Sequence, residues 1–358
     1  MDKSVNGDQL ESNVDVALVI AWPDKTARGD ERWMALLKQV GIVKNLNFRV
    51  GHAAIVLIHR QSGLLAYYDF GRYVTPRGYG RARSAESDPR LALFTRAQFD
   101  RDGRILNLQA ILRELQEMEC ATHGGGRLFF SMATDLSYTA ASRVAQQIVD
   151  GGPVKYGAVA RGNNSCSRFV AQVLLAGWSR CNPARRRVLY PESFKPSPMS
   201  NVVNAAPDKT VYCYHHGMLK AAAMTRWQSL RFQVDLLRHN FSLSKAQLLP
   251  CDRRAGSIGE PERPPTVPQC AHWLGGIGEG AWFALEQDGD IDTITVVKYN
   301  VDGHVDYKVC CQADSGIDPA LPYQFTYDCH HQWHVVVQNQ QRYVLKTCQP
   351  SKSQIRTA

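Results

Sequence analysis

Three residues of this chain have types and settings that suit nucleophilic acyl transfer: Cys166 in GNNSCSRFVAQVLLAGW, His52 in VGHAAIVLIHR and Asp69 in LLAYYDFGRY. A thiol attacks as its thiolate, and a free cysteine with a pKa near ~8.5 is only a few per cent ionised at neutral pH. The first turn of a helix favours the charged form, because its N–H groups are unpaired and its peptide dipoles are aligned. Phe169, Val170, Val173, Leu174 and Trp178 recur at helical spacing, and Asn164 and Ser165 are good capping residues. The pattern therefore predicts Cys166 in the first turn of a helix. The plainer reading is a small buried hydrophobe, the usual fate of a lone helical cysteine.

A base would separate the two readings. His52 opens the run HAAIVLIHR, which QSG joins to LLAYYDFGRY in a hairpin pattern, with Gly63 supplying the positive φ of the turn. A two-residue loop pairs positions that sum to 125, and a four-residue loop, 60 to 63, pairs positions that sum to 123. Either register puts Tyr67, Asp69 and Gly71 on the face of His52. Asp69 then orients the imidazole, or else it caps the hairpin end or pairs with Arg72. The catalytic reading expects the Cys166 sulfur within about 4 Å of one His52 nitrogen. The other nitrogen should face Asp69 or a nearby carbonyl. It also expects His52 on the sheet face that carries the Cys166 helix; on the opposite face, the buried-thiol reading of Cys166 takes its place.

The elements that must position these groups are legible as patterns. VDVALVIAWPD (14 to 24) reads as a buried strand stopped by Pro23, and DERWMALLKQVG (30 to 41) as a short amphipathic helix. Helices are expected over 105–118 and 137–152, with a strand at 127–133 between them. The prolines of YPESFKPSPMSNVVNAAPDK close this unit, a helical stretch follows over 217–240, and DRRAGSIGEPERPPTVPQ is a linker by composition. From about 269, short alternating runs separated by QDGD and NVDGH read as a small antiparallel β module, opened by HWLGGIGEGAWF. The expected division is 1–205, a helical connector over 206–251, a Pro-rich linker over 252–268, and the module over 269–358.

At 358 residues, 44% hydrophobic and 21% charged, the chain is ordinary globular material of two-domain size. A net charge of +9 suits anionic partners without naming one. No run approaches the ~20 apolar residues of a membrane span. MDKSVNGDQLESNVD also lacks the regions of a signal peptide, which predicts synthesis in the cytoplasm as a soluble chain. CYHH (213 to 216) and CHHQWH (329 to 334) concentrate soft ligands, and Cys329 and His331 share a face of an extended segment. No second half-site has matching spacing, so sheet packing is expected there, with no metal and no cofactor. In GRYVTPRGYGRARS, four arginines alternate with Tyr73 and Tyr79. Such a loop can grip nucleic acid, but directly after the Asp69 strand it borders the cleft. Arg72, Arg77, Arg81 and Tyr73 are therefore expected to hold substrate carboxylates, and no nucleic acid is expected.

The order of a strand histidine, a polar residue on the next strand and a cysteine opening a helix in NSCSRFV resembles the circularly permuted branch of the NlpC-type papain-like cysteine peptidases, which includes the lecithin retinol acyltransferase relatives. The likeness covers roughly residues 14 to 200, through VGHAAIVLI, GLLAYYDFGRY, GYGRARS and YGAVARGNNSCSRFV. It implies an α+β papain-like domain with an antiparallel sheet and packed helices, to which the small C-terminal β module is added. It implies Cys166 as nucleophile, His52 as general base and Asp69 as orienter, at a position where relatives often carry His, Glu or Gln. The implied activity is that of a cysteine amidase or peptidase, with peptidoglycan peptide as the favoured substrate. The alternatives are an acyltransferase or thioesterase on lipid or protein acyl groups, and a non-enzymatic binding module. A chain without a signal reaches the cell wall by a specialised export system, as an antibacterial effector would, and a cognate immunity protein is then an expected partner.

Overall fold

The computed structural model describes residues 13–157, 162–253, 256–287, 293–312 and 316–348. Strands Asp15–Trp22 and His52–Ile58 are buried along their whole length, as their unbroken apolar sequences require of strands covered on both faces. They pair at the centre of an eight-stranded sheet ordered Met218–Ala223, Thr210–His215, Leu128–Leu136, Asp15–Trp22, His52–Ile58, Leu65–Gly71, Tyr79–Arg83 and Val154–Lys155. Every pairing in it is antiparallel. One face carries helices Tyr138–Asp150, Cys166–Gly177 and Pro198–Ala205, joined to the sheet by Val19, Ile55, Phe70, Phe169, Val173 and Val202. The other face packs Leu18, Ile20 and Val56 against Ile111, Leu112 and Leu115 of helix Leu108–Glu117.

The hairpin takes the longer of the two expected loops. Ala54 pairs with Asp69 and Ile58 with Leu65, the register that sums to 123. Gly63 sits in the turn at φ +67°, and a Cβ there would fall 2.3 Å from the Ala97 carbonyl oxygen, so the position needs glycine for space and for conformation.

Residues 210–223 correct the expected helical stretch and the helical connector with it. Thr210–His215 and Met218–Ala223 form a hairpin that adds to the sheet beside Leu128–Leu136, and the helix starts only at Arg226. His216 and Gly217 both take positive φ, +49° and +75°, which is the two-residue turn that returns a chain antiparallel. Turn chemistry and pairing to the sheet edge override the helix-favouring composition of MLKAAAM.

The C-terminal module is a seven-stranded, nearly closed antiparallel sheet, running from His272–Leu274 at one end to Gln324–His330 at the other. Its ends approach one another, with the Phe325 amide donating to His272 Nδ1 at 3.2 Å. Phe283, Val296, Phe325, Val336 and Leu345 fill its core, where Cys329 is also buried, while the His331 ring packs on Tyr307. Trp273 and Trp282 pack on each other in a second cluster. Among the described residues, no helix is long and apolar enough to cross a membrane.

Candidate active site

Cys166 is the first residue of its helix. The Ser165 hydroxyl caps that helix by accepting the Arg168 amide at 3.3 Å, and Asn164 accepts the Ser165 amide at 2.9 Å while its own amide group donates to Gln172. The polar residues before the cysteine thus fix where the helix begins, and the apolar stripe behind it fixes which face is buried.

His52 is likewise the first residue of its strand, entered through Gly51 at φ +75°. A Cβ on Gly51 would press to 3.0 Å on both Pro23 Cα and the Trp22 carbonyl oxygen. Register places His52 opposite Trp22, and the two rings stack with centroids 5.9 Å apart, on the face away from the Cys166 helix. The expectation that His52 would face that helix is corrected here. The two side chains still come to one place, because each begins its element and both line the same cleft past the end of the strand. Strand alternation governs contacts along a strand, not past its end.

His52 Nε2 lies 3.6 Å from Asp69 Oδ2 and 3.4 Å from the Tyr73 hydroxyl. Asp69 is wholly buried. It accepts from Arg83 Nε at 3.2 Å and Nη2 at 2.9 Å, from the Tyr67 hydroxyl at 3.1 Å and from the Tyr73 hydroxyl at 2.5 Å. Arg83 stands directly across the strand pair from Asp69, and its guanidinium lies 3.3 Å over the Tyr73 ring.

Burial alone would raise the Asp69 carboxyl, but Arg83 and His52 hold it well below the usual carboxylate range. Burial also opposes charge on His52, yet the negative charges of Asp69 and Cys166 near it push the imidazole up to about 9. Burial would likewise raise the Cys166 thiol, and His52, the Ser167 hydroxyl and the Ala53 amide together bring it below its ordinary value. The three directions all favour the charged form of each group.

The sulfur opens on a cleft of about 920 Å³. Lys25, Arg28, Arg72 and Tyr156 line it from the sheet unit, and the Pro-rich segment lines it through Pro250, Arg253 and Glu262. That segment is docked: Asp252 accepts the Leu46 amide at 2.6 Å, and Asn45 donates to the Pro250 carbonyl at 3.1 Å. A second pocket of about 120 Å³ reaches Cys166 from the other side, past Arg49 and Lys195.

Of the four residues expected to hold substrate, only Arg72 lies in the cleft, with its guanidinium 4.7 Å over the Tyr156 ring. Arg77 makes an exposed bidentate pair with Asp30 at 2.8 and 3.1 Å. Arg81 is buried and donates to the Tyr327 and Cys329 carbonyls of the C-terminal module, so it is an inter-unit tie. Tyr73 is buried under the site and holds Asp69. Sequence reasoning missed Arg83 as a partner of Asp69, because a seven-residue connection between the strands hides the register that joins them. It also missed His123, whose ring lies 5.7 Å from that of His52 in a glycine-rich loop without periodicity.

Residues 17–182 match the model of a family described as type VI secretion system effector TseH-like. Residues 271–348 match a second model, the DUF6695 C-terminal domain. Among solved structures, the crystal structure of the type VI secretion system effector TseH is similar at 18% identity with a TM-score of 0.38, over 59% of this chain and 98% of that one. No curated protein matches. The segment that carries Cys166, His52 and Asp69 is therefore similar in sequence to type VI secretion effectors.

Proposed function

We propose that this chain is a cysteine amidase or peptidase of papain-like type, exported as an antibacterial effector and acting on peptide amide bonds of peptidoglycan. The observation that carries the reading is that Cys166 and His52 line one cleft, with the buried Asp69 carboxylate 3.6 Å behind His52. The Cys166 thiolate attacks the scissile carbonyl, and the oxyanion that forms is met by the unpaired N–H groups of the helix start. The His52 imidazolium then gives its proton to the leaving amine, and neutral His52 takes a proton from the water that resolves the acyl-enzyme. Asp69 keeps the imidazole oriented and stabilises its charge. Lys25, Arg28, Arg72 and Arg253 outnumber Glu262 and Asp302 around the cleft, a balance that suits the free carboxylates of wall peptides. Similarity to type VI effectors over residues 17–182 supports export, and a cognate immunity protein is the partner such a toxin needs in its producer.

The test is a digest of purified peptidoglycan by the full chain, analysed by mass spectrometry, with Cys166→Ala alongside. New free amines at a defined peptide bond, absent with the variant, are expected. Unchanged muropeptides across several wall types would overturn the substrate, and transfer of a long acyl chain onto Cys166 would move the assignment to acyl transfer.

A further inference from the structure

The groups that hold His52 do not all belong to the sheet unit. Glu279, in the loop before strand Ala281–Gln287 of the C-terminal module, lies 3.7 Å from Nε2 of His123. The His123 ring packs 4.2 Å from the Tyr73 ring and meets His52 edge-on. Tyr73 in turn donates to Asp69 and touches His52 Nε2. A continuous line of contacts thus runs from the module to the base. Glu279 is itself anchored by Lys298, which also pairs with Asp306 at 2.8 Å, and Asp306 takes Arg90 of the sheet unit at 3.0 Å.

The loop that brings Glu279 there is GGIGEG, residues 275 to 280. A Cβ on Gly276 would fall 2.9 Å from the Thr75 carbonyl oxygen, and one on Gly278 would fall 2.5 Å from Arg72 Cβ. The glycines are needed for the loop to lie against the segment that follows the Asp69 strand. Similarity to the TseH-like family ends at residue 182, so nothing in that match covers Glu279.

We propose that Glu279 is a positioning residue for the catalytic pair, acting through His123, which makes the C-terminal module part of the active centre. This rests on the reading of Cys166 and His52 given above. The carboxylate fixes which His123 nitrogen carries the proton and pins the ring, and the pinned ring holds Tyr73 against Asp69 and His52. The charged groups around His123 are Glu279 from the module, His52 from its strand and Arg83 from the next. Burial lowers His123, Glu279 opposes this, and the two cations reinforce it, so the neutral form of the ring is favoured.

The experiment needs no substrate. The full chain is treated with iodoacetamide from pH 5 to 9, and labelling of the Cys166 peptide is followed by mass spectrometry. Half a pKa unit lost from the pair is about threefold in thiolate. Glu279→Gln should therefore slow labelling at pH 6 by about threefold or more and move the profile upward, Glu279→Asp should restore most of the rate, and Glu286→Gln, which breaks a surface pair with Lys308 in the same module, should leave it unchanged. Should Glu279→Gln lose its cooperative melt, His123→Phe, which keeps a ring on Tyr73 without the imidazole that faces Glu279, decides by the same criterion. If wild type labels no faster than His52→Ala, the catalytic pair itself is wrong. If labelling depends on His52 but the Glu279→Gln profile superimposes on wild type, or Glu286→Gln is equally slow, the pair stands and the positioning role falls.

Discussion

Asp69→Asn tests the buried carboxylate on which the site is built. The substitution keeps the volume and one acceptor oxygen, so a tyrosine hydroxyl can still donate to it. What it removes is the anion paired with Arg83 at 2.9 Å and facing His52 at 3.6 Å, in a setting with no solvent access to Asp69. Arg83 keeps the Ala121 carbonyl at 2.9 Å and a longer contact to Asp88 at 3.7 Å, so it is not wholly stranded. Breaking a buried pair by removing one partner costs about 3–5 kcal/mol. The remaining acceptors place this case near the lower end, about 3 kcal/mol. With a urea m-value of about 2–3 kcal/mol/M, the midpoint of the sheet unit should fall by about 1–1.5 M. Trp22 stacks on His52 and reports the transition by fluorescence.

The pH dependence carries a sign. The Asp69 pKa is depressed in the folded state, so its contribution is present above the unfolded value of about 4 and is lost as pH falls through the folded one. His52 is raised to about 9, so its contribution is present below its unfolded value and is lost as pH rises through about 9. The gap between wild type and Asp69→Asn should therefore be widest from about pH 4 to 6.5 and shrink on either side. A midpoint unchanged within 0.2 M (about half a kcal/mol), or a gap that widens on acidification, refutes the account.

Cys166→Ala and His52→Ala should each abolish wall-peptide cleavage while moving the urea midpoint by less than Asp69→Asn does, since neither leaves Arg83 without its buried carboxylate; a folded His52→Ala that still cleaves would remove it as base. Cleavage by wild type should decline above about pH 9 as His52 loses its proton, and a rate still rising there would contradict the imidazolium donor. Arg72→Gln should raise KM for peptides bearing free carboxylates with iodoacetamide labelling of Cys166 unchanged; an equal rise for amidated peptides would show that Arg72 reads something else. Gly51→Ala forces φ +75° on an L-residue and a Cβ onto Trp22, so it should cost about 1–2 kcal/mol and slow Cys166 labelling, whereas a wild-type labelling rate would mean that His52 tolerates the shift.

The start of the Cys166 helix, the hairpin of His52 and Asp69 and their shared face were legible, because they follow from local rules: capping residues before a helical stripe, and parity across a short turn. Parity survives either loop length, so the site did not depend on choosing between them. The run of 210–223 misled for the opposite reason, since its composition favours a helix while a two-residue turn and a free sheet edge favour strands. The arginine loop shows the same limit. Its four cations read as one patch, yet the fold sends Arg72 to the cleft, Arg77 to an exposed pair, Arg81 into the C-terminal module and Arg83 under Asp69.

By itself the sequence determined which elements begin with Cys166 and His52 and which face Asp69 shares with the histidine, since these are written in neighbours a few positions away. Only the tertiary structure decided that a histidine on the far face of a strand lines the same cleft as a cysteine past that strand's end, that Arg83 balances the buried Asp69, and that Glu279, 227 positions along the chain from His52, lies beside His123 next to it. The physical reason is that these relations join distant segments through burial and charge, and a buried charge is stable only where the whole fold brings it a partner.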